Sequence, residues 1–444
     1  MRIPPALDAR LRWWSATLLC LGWALAVAAV LLPGGWWGWA GAAVMAAYLA
    51  LALLRARVRL LVVCGLLAAA VAALIWRWGH GASLGDGLRQ GLSFAAFFVA
   101  LQMLRSVAER HPRMVHVRRA ARHVGPGSRR FLMMVAGHVT GAVFAAGAVA
   151  LAGSMVQPDA DARDRRQAAE AALRGLGLAL PWSPFLVALS LVASLTPSVV
   201  LWHLIVLGLP TAVIGLAAAY VDYRRQDRID LRQIARALAP IQLIALVLVV
   251  AVAVAASTSG LSSVTIVALG LPVVAALGLA GRRRSEARRA LRRTHQALAG
   301  LNEEVLLVTV SMMFGQVVLA SPEFGQVLAG AWLAGLPDAV YVAGAALAVF
   351  GGAFVGLHPL VTVSVVVPLL ARLATGCPPA LIGAAALAGW GAANMVSVWA
   401  VPVLVAAHAF GVPTRDLVWG PNLVFATGTA IVGALVLAGL SMMV

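Results

Sequence analysis

The chain has 444 residues, 62% of them hydrophobic and only 11% charged, with a mean hydropathy of +0.93. That balance excludes a water-soluble domain of this length and points to a multi-pass helical membrane protein. The net charge of +18 comes from arginine alone, in short runs between apolar stretches. Such runs read as basic loops that fix membrane orientation, or as anionic-lipid contacts, rather than as a nucleic-acid surface.

In chain order, Arg2, Arg10 and Arg12 place the N-terminus on the cytoplasmic side, ahead of a first span at Leu18 to Leu32. No cleavage site followed by a polar mature domain comes after it. A turn at Pro33 to Trp37, a return span ending at Arg55, and a third span over Leu60 to Trp76 follow. A fourth span, Leu92 to Leu104, leads into a basic stretch ending at Arg130, read as a cytoplasmic loop with a short amphipathic helix. A fifth, Phe131 to Met155, is expected to exit at the mixed-charge loop Gln157 to Arg166.

Between that loop and the basic cluster at Arg224, Arg225 and Arg228 an odd number of crossings is required, yet two apolar stretches are present. The stretch 171–197 carries Gly175, Gly177, Pro181 and Pro184 and ends at Thr196-Pro197, so it is expected to enter and leave on one side as a re-entrant hairpin. Two linking spans, Ile241 to Ala255 and Val264 to Ala280, bracket the approach to the Arg282 to Arg293 run. From Asn302 the pattern restarts with the opposite sense, with a span up to Ser321-Pro322, a long return from Val340 to Arg372, and a second Gly-rich hairpin at 379–407. The last span, Pro421 to Leu440, leaves the C-terminus on the periplasmic side.

The two hairpins repeat one another. Gly175 and Gly389, Gly177 and Gly391, and Ser183 and Ser397 are each 214 positions apart (389 − 175 = 214). Internal repetition of this kind marks secondary transporters, whose sites form from broken helices at the repeat interface. The expected fold is therefore all-α and polytopic, with two inverted-topology repeats, each carrying one hairpin. The segments are 1–85 (three spans), 86–223 (repeat 1), 224–301 (linker) and 302–444 (repeat 2).

Candidate substrate-binding groups are the hydroxyls of Ser183, Ser194 and Thr196 in the first hairpin, and Asn394 and Ser397 in the second. His138 and His358, each beside a Gly-rich break, stand in corresponding positions and either carry a coupling proton, donate to an anion or sit neutral in the core. Trp182 and Trp399 are candidate walls of the site or packing aromatics, and Arg174 either attracts an anion, pairs with Glu170 or snorkels to the interface. Cys20, Cys64 and Cys377 are far apart with no metal-ligand spacing, and no metal or cofactor is expected.

This layout, over roughly Gly87 to Val444, resembles the ion transporter superfamily of citrate, dicarboxylate, arsenite and sodium/proton carriers. The resemblance implies two inverted repeats with re-entrant hairpins, a substrate site between the hairpin tips, and a homodimer. The Ser-Asn-Thr signature of its divalent-anion members is absent, with Asn394 and Ser397 a loose echo. The reading is a non-enzymatic bacterial inner-membrane carrier of a small, anionic solute, working by alternating access with proton coupling or exchange. The alternatives are an accessory or scaffold protein, in which the Gly-x-x-x-Gly pairs at Gly137 and Gly352 only pack helices, and a membrane-embedded enzyme acting on a lipid-linked substrate.

Overall fold

The computed structural model describes residues 4–109, 111–157, 159–328, 335–398 and 400–443, and these are helical with no strand among them. In chain order the helices are α1 (Pro5–Leu31), α2 (Trp37–Arg55), α3 (Val58–Trp78), α4 (Ser83–Ala108), α5 (Pro112–Arg122), α6 (Pro126–Phe144) and α7 (Ala146–Gly153). Then come α8 (Ala162–Ala179), α9 (Val187–Leu195), α10 (Leu201–Gln226), α11 (Leu231–Ser259), α12 (Ser263–Leu279), α13 (Arg284–Leu298) and α14 (Asn302–Ala320). The last are α15 (Pro322–Leu328), α16 (Asp338–Gly352), α17 (Pro359–Leu373), α18 (Pro379–Val396), α19 (Val401–Phe410), α20 (Thr414–Val418) and α21 (Pro421–Ser441). Nine stretches among the described residues are long and apolar enough to cross a membrane, as a multi-pass membrane protein requires.

Two compact units form, one from Met1–His111 with Leu261–Gly330 and the other from Pro112–Gly260 with Ala331–Val444. In the first unit α4 packs on α14 and α12, and Gly87 and Gly91 seat it against Met313 and Thr309, where any Cβ would collide. Small residues set such crossings because lipid supplies no hydrophobic drive between helices.

The second unit is built from two similar runs. In the first, Ala145 turns the chain between α6 and α7 with φ 52°, a backbone region unusual for a residue with a Cβ. The chain then returns to the start of α6, where Arg122 donates to the Ser154 carbonyl and Arg129 to Gln157 Oε1, each at 3.2 Å. Next, α8 runs parallel to α6, with Gly137 against Ala172 and Gly141 against Leu176. After an interruption at 180–186, where Pro181 and Pro184 remove backbone donors, α9 follows. Helix α10 then runs back along α8, with Gly208 against Pro181 and Gly215 against Leu178.

The second run follows the same order. Thr362 of α17 lies against Gly352 of α16 across the turn at 353–358, and Gly376 is pressed on the Asp338 carboxylate, so α17 returns to the start of α16. Helix α18 crosses α16 where Gly389 meets Ala346, and α21 runs back along α18, with Gly433 against Ala388. Helices α18 and α8 cross at Gly391 and Gly177, each of whose Cα atoms faces the other's carbonyl oxygen. Gly383 lies near Val192 of α9, and Ala409 of α19 near Gly153 of α7, so α18–α19 runs opposite in direction to α8–α9.

These contacts correct the expected hairpins at 171–197 and 379–407. The chain is interrupted in both segments, but α9 packs on α17 and α18 instead of folding back along α8, and α19 packs chiefly on α7 and α8, with a smaller contact to α18. The reversals of direction lie one element earlier, in α6–α7 and α16–α17. As a result, residues 159–166, at the start of α8, lie at the same end as the α10–α11 connection, not at the opposite one. Asp161, Arg163 and Asp164 share a cleft with Gln226 and Asp227. Counting crossings cannot separate the two arrangements, because one doubled-back segment in either place satisfies it.

Candidate functional site

The two interruptions frame the centre of the second unit. At the first, the Ser183 hydroxyl donates to the Ala142 carbonyl near the end of α6 and accepts from the Phe185 N–H at 3.3 Å, so it fixes the break to the α6–α7 turn. His138 Nδ1 lies 3.2 Å from the Gly175 carbonyl, and its ring is 5.4 Å from that of Trp182. The Trp182 indole N–H is buried without a hydrogen-bond partner among the described residues. A buried donor left open beside a helix break is a group that a ligand would satisfy.

At the second interruption Ser397 closes α18, its N–H donating to the Ala393 carbonyl at 2.8 Å, and Asn394 sits half-buried one turn earlier. Trp399 lies outside the described residues. The carbonyl end of α18 is held from the side by Asn422, buried in the first turn of α21. Its Nδ2 donates to the Met395 carbonyl at 2.6 Å and to the Leu417 carbonyl at 3.3 Å.

Asn422 Oδ1 accepts from Arg174 Nε at 3.1 Å, and Arg174 Nη1 donates to the Tyr223 hydroxyl at 3.1 Å. The guanidinium also lies 4.7 Å from the Phe425 ring centroid. Arg174 is 5% exposed and stands on a ladder along α8, with Glu170 Oε2 at 3.7 Å and Arg166 Nε at 2.9 Å from Glu170 Oε1. The ladder holds two cations and one anion. Its cationic head reaches, through Asn422, the negative end of the α18 dipole. Of the sequence readings of Arg174, the Glu170 pairing is present. Asn422 and Tyr223 were not legible as its partners, being 248 and 49 residues away. The signal that was there is Asn422 itself, a lone amide inside the last apolar span.

The other candidates scatter. Ser194 and Thr196 hydroxyls donate to the Leu191 and Val192 carbonyls of their own helix, both at 2.8 Å. His358 caps α17, its Nδ1 accepting from the Leu360 N–H at 3.2 Å, whereas His138 lies within α6, about two turns before Ala145. The two histidines are therefore not equivalent, and no hydrogen bond or ring contact joins them among the described residues. The correspondence at 214 positions pairs His138 with Gly352 instead.

A polar cleft of about 380 Å³ opens at the start of α6 and α8, lined by Arg129, Arg130, Arg163, Asp161, Asp164 and Asp227 among others. Among the described residues no cluster of three or more His, Cys, Asp or Glu is placed to hold a metal ion. No protein-family model matches the chain, and neither does any curated protein.

Proposed function

We propose that the second unit is the translocating core of a secondary transporter that moves a small anionic solute across a bacterial inner membrane by alternating access. In this reading its two runs are inverted-topology repeats, α6–α7 and α16–α17 are their re-entrant hairpins, and the N- and C-termini face the cytoplasm and periplasm. The observation that carries it is the antiparallel crossing of two interrupted helices at Gly177 and Gly391, with the buried Arg174 tied to one broken end. Interrupted helices at membrane depth leave free carbonyls and N–H groups where transporters bind substrate. Continuous helices would meet the backbone requirement without exposing such groups, so a packing scaffold gains nothing from the interruptions.

The solute would sit by the α8–α9 break, where the Trp182 N–H is open and Ser183 orders the backbone, and His138, hydrogen-bonded to the Gly175 carbonyl, would carry a coupling proton. An anionic solute fits the cationic excess of the Arg166–Glu170–Arg174 ladder. The plan keeps the resemblance to the ion transporter superfamily, two inverted repeats with one re-entrant hairpin each, with a homodimer as its expected assembly.

The test is a solid-supported-membrane recording on reconstituted protein, switching among small carboxylates, phosphate and oxyanions with and without a pH gradient. A solute-dependent current that disappears in Trp182→Phe or His138→Ala supports the reading. Folded protein that gives neither current nor solute-driven internal pH change across the panel contradicts it.

A further inference from the structure

Helix α13 lies across one end of the first unit and is held there by a small inner face. Ala290, Thr294 and Leu298 are buried, the Thr294 hydroxyl donates to Ser106 Oγ of α4 at 3.0 Å, and Leu298 joins a core cluster with Ala16 and Ala52. The spacing of Arg284, Arg288, Leu291, Arg292 and His295 puts these five on one stripe beside that face. Arg284, Arg288 and Arg292 are exposed, and none makes an ion pair among the described residues. The helix's only acid, Glu286, is already paired with Arg282 at 3.7 Å.

The stripe ends against α1. His295 Nε2 is 3.2 Å from Thr17 Oγ1, and its ring centroid is 5.8 Å from that of Trp13. Trp13 and Trp14, in edge contact at 4.9 Å, are 53% and 54% exposed, and Leu291 in the middle of the stripe is 59% exposed. A basic loop that only sets orientation needs no exposed leucine on its charged face, nor tryptophans at its end. Paired tryptophans belong at the headgroup level of a bilayer, and a fixed amphipathic helix at that level faces lipid phosphates.

We infer that α13 is a binding surface for anionic phospholipid. The guanidinium groups of Arg284, Arg288 and Arg292 engage headgroup phosphodiesters in the forked geometry suited to them, while Leu291, Trp13 and Trp14 enter the apolar boundary beneath. Because the helix is anchored by buried contacts, its backbone pays no ordering penalty when the arginines bind lipid. This surface stands apart from the transport reading.

The test uses the full-length protein in mild detergent, following thermal unfolding as phosphatidylglycerol or phosphatidylcholine is added. Phosphatidylglycerol is expected to raise the wild-type melting temperature more than phosphatidylcholine does. In Arg288→Gln/Arg292→Gln the concentration for half-effect should rise about five-fold per arginine removed. Arg288→Lys/Arg292→Lys should keep much of the response, and Arg224→Gln/Arg225→Gln, at the end of α10, all of it. The inference is overturned if the double glutamine variant responds like wild type, if the α10 variant loses as much, or if inorganic phosphate reproduces the effect.

Discussion

Placing a methyl group at Gly391 or Gly177 probes the crossing on which the second unit is built. A Cβ on Gly177 would stand 2.6 Å from the Gly391 carbonyl oxygen and 2.5 Å from Met395 Cε, and a Cβ on Gly391 would strike the Gly177 carbonyl oxygen. Contacts between heavy atoms settle near 3.5 Å, so either methyl must part the helices by about 1 Å. Such a gap forfeits a quarter to a half of each contact's attraction, and overpacking of this kind costs about 1–3 kcal/mol. We expect about 2 kcal/mol for Gly177→Ala and for Gly391→Ala. One separation makes room for both methyls, so the double variant should fall about 1 kcal/mol short of the sum. Gly344 and Gly428, in α16 and α21, have no atom within 4 Å of an added Cβ. Alanine there should leave stability unchanged or raise it by up to about 1 kcal/mol. Reversible unfolding in mixed micelles measures all five variants. Single variants within about 0.5 kcal/mol of wild type, or full additivity, would refute the crossing geometry.

Arg174→Met should destabilise by about 3 kcal/mol, the low end for a broken buried pair, because Arg166 still neutralises Glu170. The same unfolding assay checks this, and a loss below about 1 kcal/mol would contradict the burial of Arg174. Ala145→Gly should stabilise by about 1 kcal/mol, since glycine adopts the positive φ of the α6–α7 turn without strain. A destabilised glycine variant would mean that the chain does not reverse at this residue. Ser183→Ala removes the hydroxyl that holds the first break to Ala142 and should cost about 1 kcal/mol, with faster amide exchange confined to the break.

The membrane class and the glycine correspondence were legible in the sequence because each has one physical cause. Apolar length is required by the bilayer, and Gly175, Gly177, Gly389 and Gly391 stand where backbones approach too closely for a Cβ. The break at 353–358 was also visible, as a Gly-rich stretch ending in His358-Pro359, although Val340 to Arg372 reads as one returning span and the reversal there does not show. Its partner at Ala145 was not, since alanine neither breaks a helix nor signals a positive φ. Pro181 and Pro184 then drew the reversal into 171–197, although a proline shows only that a helix is interrupted and says nothing about the direction in which the chain leaves. The network around Arg174 stayed hidden for a different reason. Its partners Tyr223 and Asn422 lie on other helices, and no local pattern links them.

Sidedness of single cysteines, introduced after Cys20, Cys64 and Cys377 are replaced by alanine, tests the arrangement of the second unit most directly. A membrane-impermeant maleimide applied to intact and opened vesicles should find Asp159→Cys, Arg228→Cys and Arg415→Cys on one face. Ser198→Cys and Thr375→Cys should appear on the other. Labelling of Asp159→Cys on the face of Ser198→Cys would contradict the reversal at Ala145, and with it the antiparallel pairing of the two runs.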